Sequence, residues 1–210
     1  MELYQRQEQL NLKDIPSATI VGVGGTGTWV AIFVAMSGCP ELFLMDSDAF
    51  SITNFNRIPL EILANTNRPK TEAIQELVKL LRPECRVETM GRATIFTLPQ
   101  TKGVIFDCTD AQAVQAEVYE FAVNNERDYI RCGYDGTHFT VSDSVPEWNT
   151  GGEPVTGYTI FPSWVVPASM AAGMAVAKAM YCPEINVSID IKDIGGQDVH
   201  NEPTRQVMED

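Results

Sequence analysis

Residues 17–27 read Ser17-Ala18-Thr19-Ile20-Val21-Gly22-Val23-Gly24-Gly25-Thr26-Gly27. An apolar run following Pro16 has the length of a buried strand over 17–23, and glycines at 22, 24, 25 and 27 then break it. Residues 28–37 are apolar nearly all round, as expected of a helix that lies against a sheet rather than facing water. Gly38 and Pro40 stop that helix, and the second apolar run, 41–45, ends at Asp46. Strand, glycine turn, helix and strand in this order open a doubly wound sheet. The fold class expected is α/β, a Rossmann-like and mainly parallel sheet with helices on both faces.

The rest of the chain continues that alternation. Residues 46–67 are polar and turn-rich and read mostly as loop. Pro69 stands where a helix start expects it. Ala73, Ile74, Leu77, Val78 and Leu81 then come at helical spacing until Arg82-Pro83. A strand is expected over 104–106, a helix over 111–124 and a strand over 129–132. Residues 137–141 pair with that last strand across a turn at 133–136. Glycines, prolines and no periodicity make 144–157 a loop, and 167–180 is a helix rich in Ala and Gly. Alternation at Ile185, Val187, Ile189 and Ile191 reads as a half-buried strand, and 195–210 as a polar, frayed tail. Residues 1–194 are expected to form one domain.

Composition narrows the function. A hydrophobic fraction of 44% is that of a globular protein, and the longest apolar stretch, 29–36, is far short of a membrane span. No signal peptide is legible at the N-terminus, so the cytoplasm is the expected compartment. The net charge of −13 argues against nucleic acid and anionic membranes as partners. It also means that a site for a polyanion must gather its few cations locally. The five cysteines, Cys39, Cys85, Cys108, Cys132 and Cys182, form no CxxC pair. They read as buried small hydrophobes, and no structural zinc is expected.

By itself the turn Gly22-x-Gly24-Gly25-x-Gly27 says that a phosphate can approach the backbone where a helix N-terminus offers free N–H groups. Asp46, 19 residues beyond Gly27, stands where a carboxylate accepts ribose hydroxyls. Both features suit NAD as well as ATP.

The residues beyond Asp46 discriminate between them. Asp46-x-Asp48 leads into Thr53-Asn54-Phe55-Asn56-Arg57, then Pro69-Lys70 opens a helix, and Cys108-Thr109-Asp110 ends a strand. In this succession the chain resembles the ThiF/MoeB/ubiquitin-activating-enzyme superfamily, firmly over 18–125 and loosely over 128–181. Members of that superfamily adenylate the C-terminal glycine of ubiquitin-like proteins and sulfur carriers. The resemblance implies ATP on Gly22, Gly24, Gly25 and Gly27, with Asp46 and Asp48 beside the ribose and Asn54 on phosphate. Arg57 and Lys70 would be the cations on the phosphates, Arg57 as a bidentate fork and Lys70 as a point charge. Asp110 would hold Mg²⁺ that shields the departing pyrophosphate. The chemistry wants these residue types, because an attacking carboxylate and a triphosphate crowd negative charge together in the transition state.

Arg6-Gln7 matches an Arg-Gln pair near the family's N-terminus, whose Arg reaches the phosphates of the neighbouring subunit. The segment from Arg6 to Gly22 is shorter here than in the family. A homodimer is expected from this and from the apolar segment 161–166 with the small-residue helix after it. The chain departs from the family in having no cysteine from 133 to 181, so thioester formation in that region is not expected. His138 reads as a satisfied hairpin residue. The expected function is ATP-dependent adenylation of a partner protein's C-terminal glycine carboxylate. Its alternatives are a nucleotide-binding adaptor without catalysis, relatives that adenylate small peptides or activate a tRNA base, and an NAD-dependent oxidoreductase. The last leaves Asn54, Arg57 and Lys70 unexplained.

Overall fold

The computed structural model describes residues 3–145 and 162–194. In chain order its strands are β1 (Ala18–Val21), β2 (Glu41–Met45), β3 (Arg86–Met90), β4 (Val104–Asp107), β5 (Tyr129–Asp135), β6 (His138–Ser142) and β7 (Val187–Asp190). The helices are α1 (Gly25–Met36), α2 (Ile62–Asn65), α3 (Lys70–Leu81), α4 (Gln112–Asn124), α5 (Val165–Met180) and α6 (Ile191–Ile194). The strands lie in one sheet in the order β3-β2-β1-β4-β5-β6-β7. From β3 to β5 all pairs are parallel, and β6 and β7 add antiparallel partners at one edge.

β1 is central and every residue in it is buried, which is why it reads as a continuous apolar run rather than an alternating one. Its one polar residue, Thr19, donates from Oγ1 to the Lys102 carbonyl and accepts from Arg127, so burial leaves nothing unpaired. β2 pairs on one side of β1 and β4 on the other, so the strand order reverses at the carboxyl end of β1. In open α/β sheets this reversal opens the crevice where ligands sit.

α1 packs between the sheet, α3 and α5, which accounts for a helix that is apolar nearly all round. α4 covers the opposite face, where Val114, Val118 and Ala122 meet Ile105, Leu98 and Tyr129. α3 is amphipathic: Ala73, Ile74 and Val78 are buried while Leu80 faces solvent. Each fully buried Leu or Phe side chain contributes about 1.5–3 kcal/mol by leaving water.

Three expectations need correction. β3 falls where no strand is expected: Val87 is its one buried residue, and the charged Arg86 and Glu88 give an edge strand no apolar signature. Its identity comes from backbone pairing with β2. β5 runs on to Asp135, so the turn to β6 is not residues 133–136 but the tighter pair Gly136-Thr137, with Gly136 at φ +56°. The small-residue face of α5 is not free for a twin subunit, since Ala168, Ala171, Ala172 and Ala175 are fully buried inside the chain, where α5 packs on α1, β5 and β6. Phe161, most of the loop 144–157 and the tail 195–210 lie outside the described residues. Cys39, Cys85 and Cys132 are buried as expected, whereas Cys108 and Cys182 are partly exposed.

At the carboxyl end of β4, Asp107 is completely buried. It accepts from the Thr109 amide at 3.0 Å, the Thr109 hydroxyl at 2.7 Å and the Tyr129 hydroxyl at 2.8 Å. Burial pushes its carboxyl above the ordinary value of 3.8, and these donors only partly offset that. A folded-state pKa above the unfolded one penalises the fold once pH exceeds the unfolded value, and the penalty fades as pH falls back to it. Tyr129→Phe removes a donor to the ionised form, so it is expected to cost about 1.5–3 kcal/mol where the carboxyl is ionised. The loss should shrink as pH falls through the raised folded-state value and be least below the ordinary one, where the carboxyl is protonated in both states. Urea unfolding at neutral and at acid pH checks this, and an equal loss at both would show that Asp107 is not the group involved.

Candidate functional site

The chain leaves β1 through Gly22, at φ +82°, whose amide donates to the Met45 carbonyl at 2.8 Å. A Cβ on Gly27 would lie 1.9 Å from the Gly22 carbonyl oxygen, so the first turn of α1 crosses directly over the strand end. A Cβ on Gly25 would meet the Tyr134 hydroxyl at 2.8 Å and Arg57 Cδ at 3.0 Å. Gly24 differs: a Cβ there would meet nothing within 4 Å. Gly24 is also the N-cap of α1, which has neither a side-chain cap nor an acidic residue in its first turn. The helix therefore presents uncapped amides, with their partial positive charge, beside open space.

Asp46 ties this turn to β2. Its Oδ2 accepts from the Val23 amide and its Oδ1 from the Asp48 amide, both at 2.8 Å. Lys70 Nζ lies 3.7 Å from Asp46 and donates to Asp48 Oδ2 at 2.9 Å. The approach is built by backbone: Phe50 donates to the Arg68 carbonyl, Asn67 to that of Phe50, and Lys70 to that of Asp48. Lys70 opens α3, where the helix dipole disfavours a cation by about 0.3–1 kcal/mol. The paired carboxylates offset that cost. Asp48 remains mostly exposed, with 68% of its side chain open to water.

Asn54 closes a capping box with Ser51, its Oδ1 accepting from the Ser51 amide at 3.0 Å. Its NH₂ group is left as the donor a phosphate oxygen requires. Arg57 donates from Nη1 to the Thr53 carbonyl and to Asn56 Oδ1, each at 2.9 Å. Its carbonyl accepts from Trp29 Nε1 at 2.9 Å, fastening the loop after β2 onto α1.

Cys108 and Thr109 pack against Gly22, and Asp110 comes next as an exposed residue at the rim. Among the described residues no group of three or more His, Cys, Asp or Glu side chains is placed to hold a metal. A lone carboxylate still suits Mg²⁺, which commonly takes one or two protein oxygens and completes its octahedron with substrate phosphates and water.

Arg6 is not brought to the glycine turn of its own chain. Its neighbours sit at the far end of α1, where Gln7 donates to the Ser37 carbonyl and the Tyr4 ring faces Gly38. The 12 residues of α1 span about 18 Å.

The structure adds residues that no sequence pattern singles out. Tyr134 lies not in a turn but on β5, standing over α1. Cys108 and Cys132 face each other across β4 and β5 with Sγ atoms 3.4 Å apart. His138 is satisfied on the hairpin as expected, its Nε2 2.9 Å from Ser188 Oγ. A cleft of about 740 Å³ opens at the amino ends of β1, β4 and β5, lined by Lys13, Ser17, Arg127, Asp128 and Lys178 among others. It lies at the opposite end of the strands from the glycine turn and includes none of the expected site residues.

Comparisons with known proteins agree with this architecture. A family model described as the ThiF family matches residues 1–150. The tRNA threonylcarbamoyladenosine dehydratase of Haemophilus influenzae (strain ATCC 51907 / DSM 11121 / KW20 / Rd) is 30% identical over 125 residues, covering 56% of this chain and 47% of that protein. The sulfur carrier protein ThiS adenylyltransferase of Escherichia coli (strain K12) is 27% identical over 137 residues, covering 63% and 54%. The chain thus spans about half the length of these two curated relatives. Among solved structures, E. coli MccB superposes with a TM-score of 0.69 at 20% identity, over 85% of this chain and 62% of that one. MccB has also been solved with ATP. With a family match running from the N-terminus through β6, on a sheet whose order and glycine turn agree with it, the chain belongs to the ThiF family.

Proposed function

We propose that this chain binds ATP–Mg²⁺ on the α1 N-terminus and adenylates the C-terminal glycine carboxylate of a small ubiquitin-like or sulfur-carrier protein, releasing pyrophosphate. The observation that carries this reading is the uncapped helix end at Gly24, open on its side-chain face, with Arg57 beside Gly25 and Lys70 next to the turn through Asp46. In a chain of net charge −13, one cation at that helix end and a second beside the carboxylate that binds its turn suit a polyanion. Asp46 and Asp48 stand on the ribose side, Asn54 supplies a donor, and Asp110 at the rim would hold Mg²⁺. That ion would shield charge on the departing pyrophosphate. The Lys70–Asp48 pair keeps the lysine in place until a triphosphate competes for it. On this reading residues 1–194 work as one nucleotide-binding domain in the cytoplasm. No described helix is long and apolar enough to cross a membrane.

The relatives named as tRNA threonylcarbamoyladenosine dehydratases give a second reading, adenylation of a tRNA base. The same residues would serve it. The acidic charge disfavours it, because a tRNA backbone must dock across a negative surface. An adaptor that binds nucleotide without chemistry would use the same cations, and it is pyrophosphate exchange that separates it from the enzyme. An NAD-dependent oxidoreductase leaves Arg57 and Lys70 without a role.

ATP–pyrophosphate exchange with a β-grasp protein ending in Gly-Gly tests the proposal, against tRNA in parallel. Exchange with the protein alone supports it, exchange with tRNA alone transfers the site to the second reading, and none with either removes the activity. A thermal shift with ATP–Mg²⁺ rather than NADH separates the nucleotides, since ligand at about 100 times Kd stabilises by about 2.7 kcal/mol.

The position of Arg6 allows it a role only across a dimer. Mixing Arg6→Ala with Arg57→Ala subunits is then expected to restore one competent site per mixed dimer. A monomeric mass by light scattering, with full activity, would remove both the dimer and that role.

A further inference from the structure

Tyr134 carries its polar atom to the point where a Gly25 side chain would be. Its Oη is 2.8 Å from the ideal Cβ position, with Arg57 Cδ at 3.0 Å and Nε at 3.1 Å from the same point. Gly25 is therefore a glycine because a phenol and a guanidinium occupy its side-chain space against the first turn of α1. The strand that carries Tyr134 is held rigidly: Tyr134 pairs with Phe139 on β6, and the Gly136 amide donates to the Pro162 carbonyl. The Ser163 carbonyl accepts from Asn56 Nδ2 at 2.7 Å, so β5, the chain before α5 and the Arg57 loop meet at this point.

We propose that Tyr134 is a ligand-binding and positioning residue of the nucleotide site, its hydroxyl donating to a phosphate oxygen on the α1 N-terminus while its oxygen holds the Arg57 guanidinium there. This rests on the reading of the crevice as an ATP site. The phenol oxygen interacts with Arg57, which has only donors, and with the Ser163 hydroxyl. Arg57 offers the phenol proton no acceptor, and beside the neutral Ser163 oxygen an anionic phosphate is the stronger one. Burial raises the phenol above its ordinary value of 10.0 despite the Arg57 charge, so the donor is present throughout the neutral range. The uncapped amides of α1, the guanidinium and the phenol then converge on one oxyanion.

Tyr134→Phe removes the hydroxyl and keeps the ring. The variant should bind ATP–Mg²⁺ about 10- to 100-fold more weakly than the wild type by calorimetry, as expected for a hydrogen bond to a charged acceptor. Its affinity for adenosine, which lacks phosphate, should hardly change, and neither should its melting temperature without ligand. Weakening of ATP and adenosine alike, or loss of both through unfolding, would overturn the inference, because the hydroxyl would then serve the fold. Unchanged ATP affinity in the variant would overturn it while leaving the ATP site standing. A wild-type protein that binds no ATP would remove the site, and the inference with it.

Discussion

Gly27→Ala is expected to cost more than about 3 kcal/mol of stability and to abolish nucleotide binding with it, because overpacking a closed contact forces backbone to move. The added methyl would lie 1.9 Å from the Gly22 carbonyl oxygen, which is backbone and cannot swing aside as a long side chain can. Relief requires α1 to lift from β1, and α1 is packed between the sheet, α3 and α5. Lifting it would expose Val30, Ala31 and Val34, all fully buried. Gly24→Ala is the matched control. Its methyl meets nothing within 4 Å, so the melting temperature without ligand should hardly change, while the ATP-induced shift should fall because the methyl intrudes where phosphate would approach. Denaturant titrations of the two variants, with and without ATP–Mg²⁺, check the contrast. If Gly24→Ala binds ATP as the wild type does, the open face of the helix end is not where phosphate sits.

Lys70→Ala is expected to lower the rate of ATP–pyrophosphate exchange about 10²- to 10³-fold while ATP affinity falls less than about tenfold. The asymmetry comes from when the charge matters. In the ground state of the proposed reaction the triphosphate would have a metal ion and the helix amides beside it; in the transition state an attacking carboxylate would add its charge at the same phosphorus. Arg57→Ala should behave alike, with a larger effect on affinity because Arg57 stands at the helix end itself. The Lys70 change also leaves Asp46 and Asp48 facing one another without a cation, so the melting temperature should be recorded alongside. An unchanged rate, in a variant that still melts cooperatively, would take Lys70 out of the chemistry.

Much of this site is legible in the amino-acid sequence. The glycine turn, Asp46 with Asp48 and Lys70, and Arg57 beside Gly25 meet at the carboxyl end of β1, because the turn after a central strand is local and the loops after β1 and β2 must open on the same side of a parallel sheet. The remainder is non-local. Tyr134 comes 109 residues after Gly25, and only the β4–β5 pairing sets its hydroxyl over that glycine. β3 carries a single buried side chain and is a strand by virtue of its backbone bonds to β2. The Ala-rich face of α5 has the composition of a surface for a twin, yet its own chain covers it with α1.

The sequence by itself determined the α/β class, the glycine turn and the order of the polar residues around it. These depend on φ/ψ tolerance, apolar periodicity and short-range spacing, which neighbouring residues carry among themselves. The tertiary structure alone decided which carboxylates hold Lys70, which side chains take the space beside Gly25, and that the segment carrying Arg6 sits at the far end of α1 from its own chain's turn. Those outcomes depend on how strands far apart in sequence pair in one sheet, and no local preference specifies that.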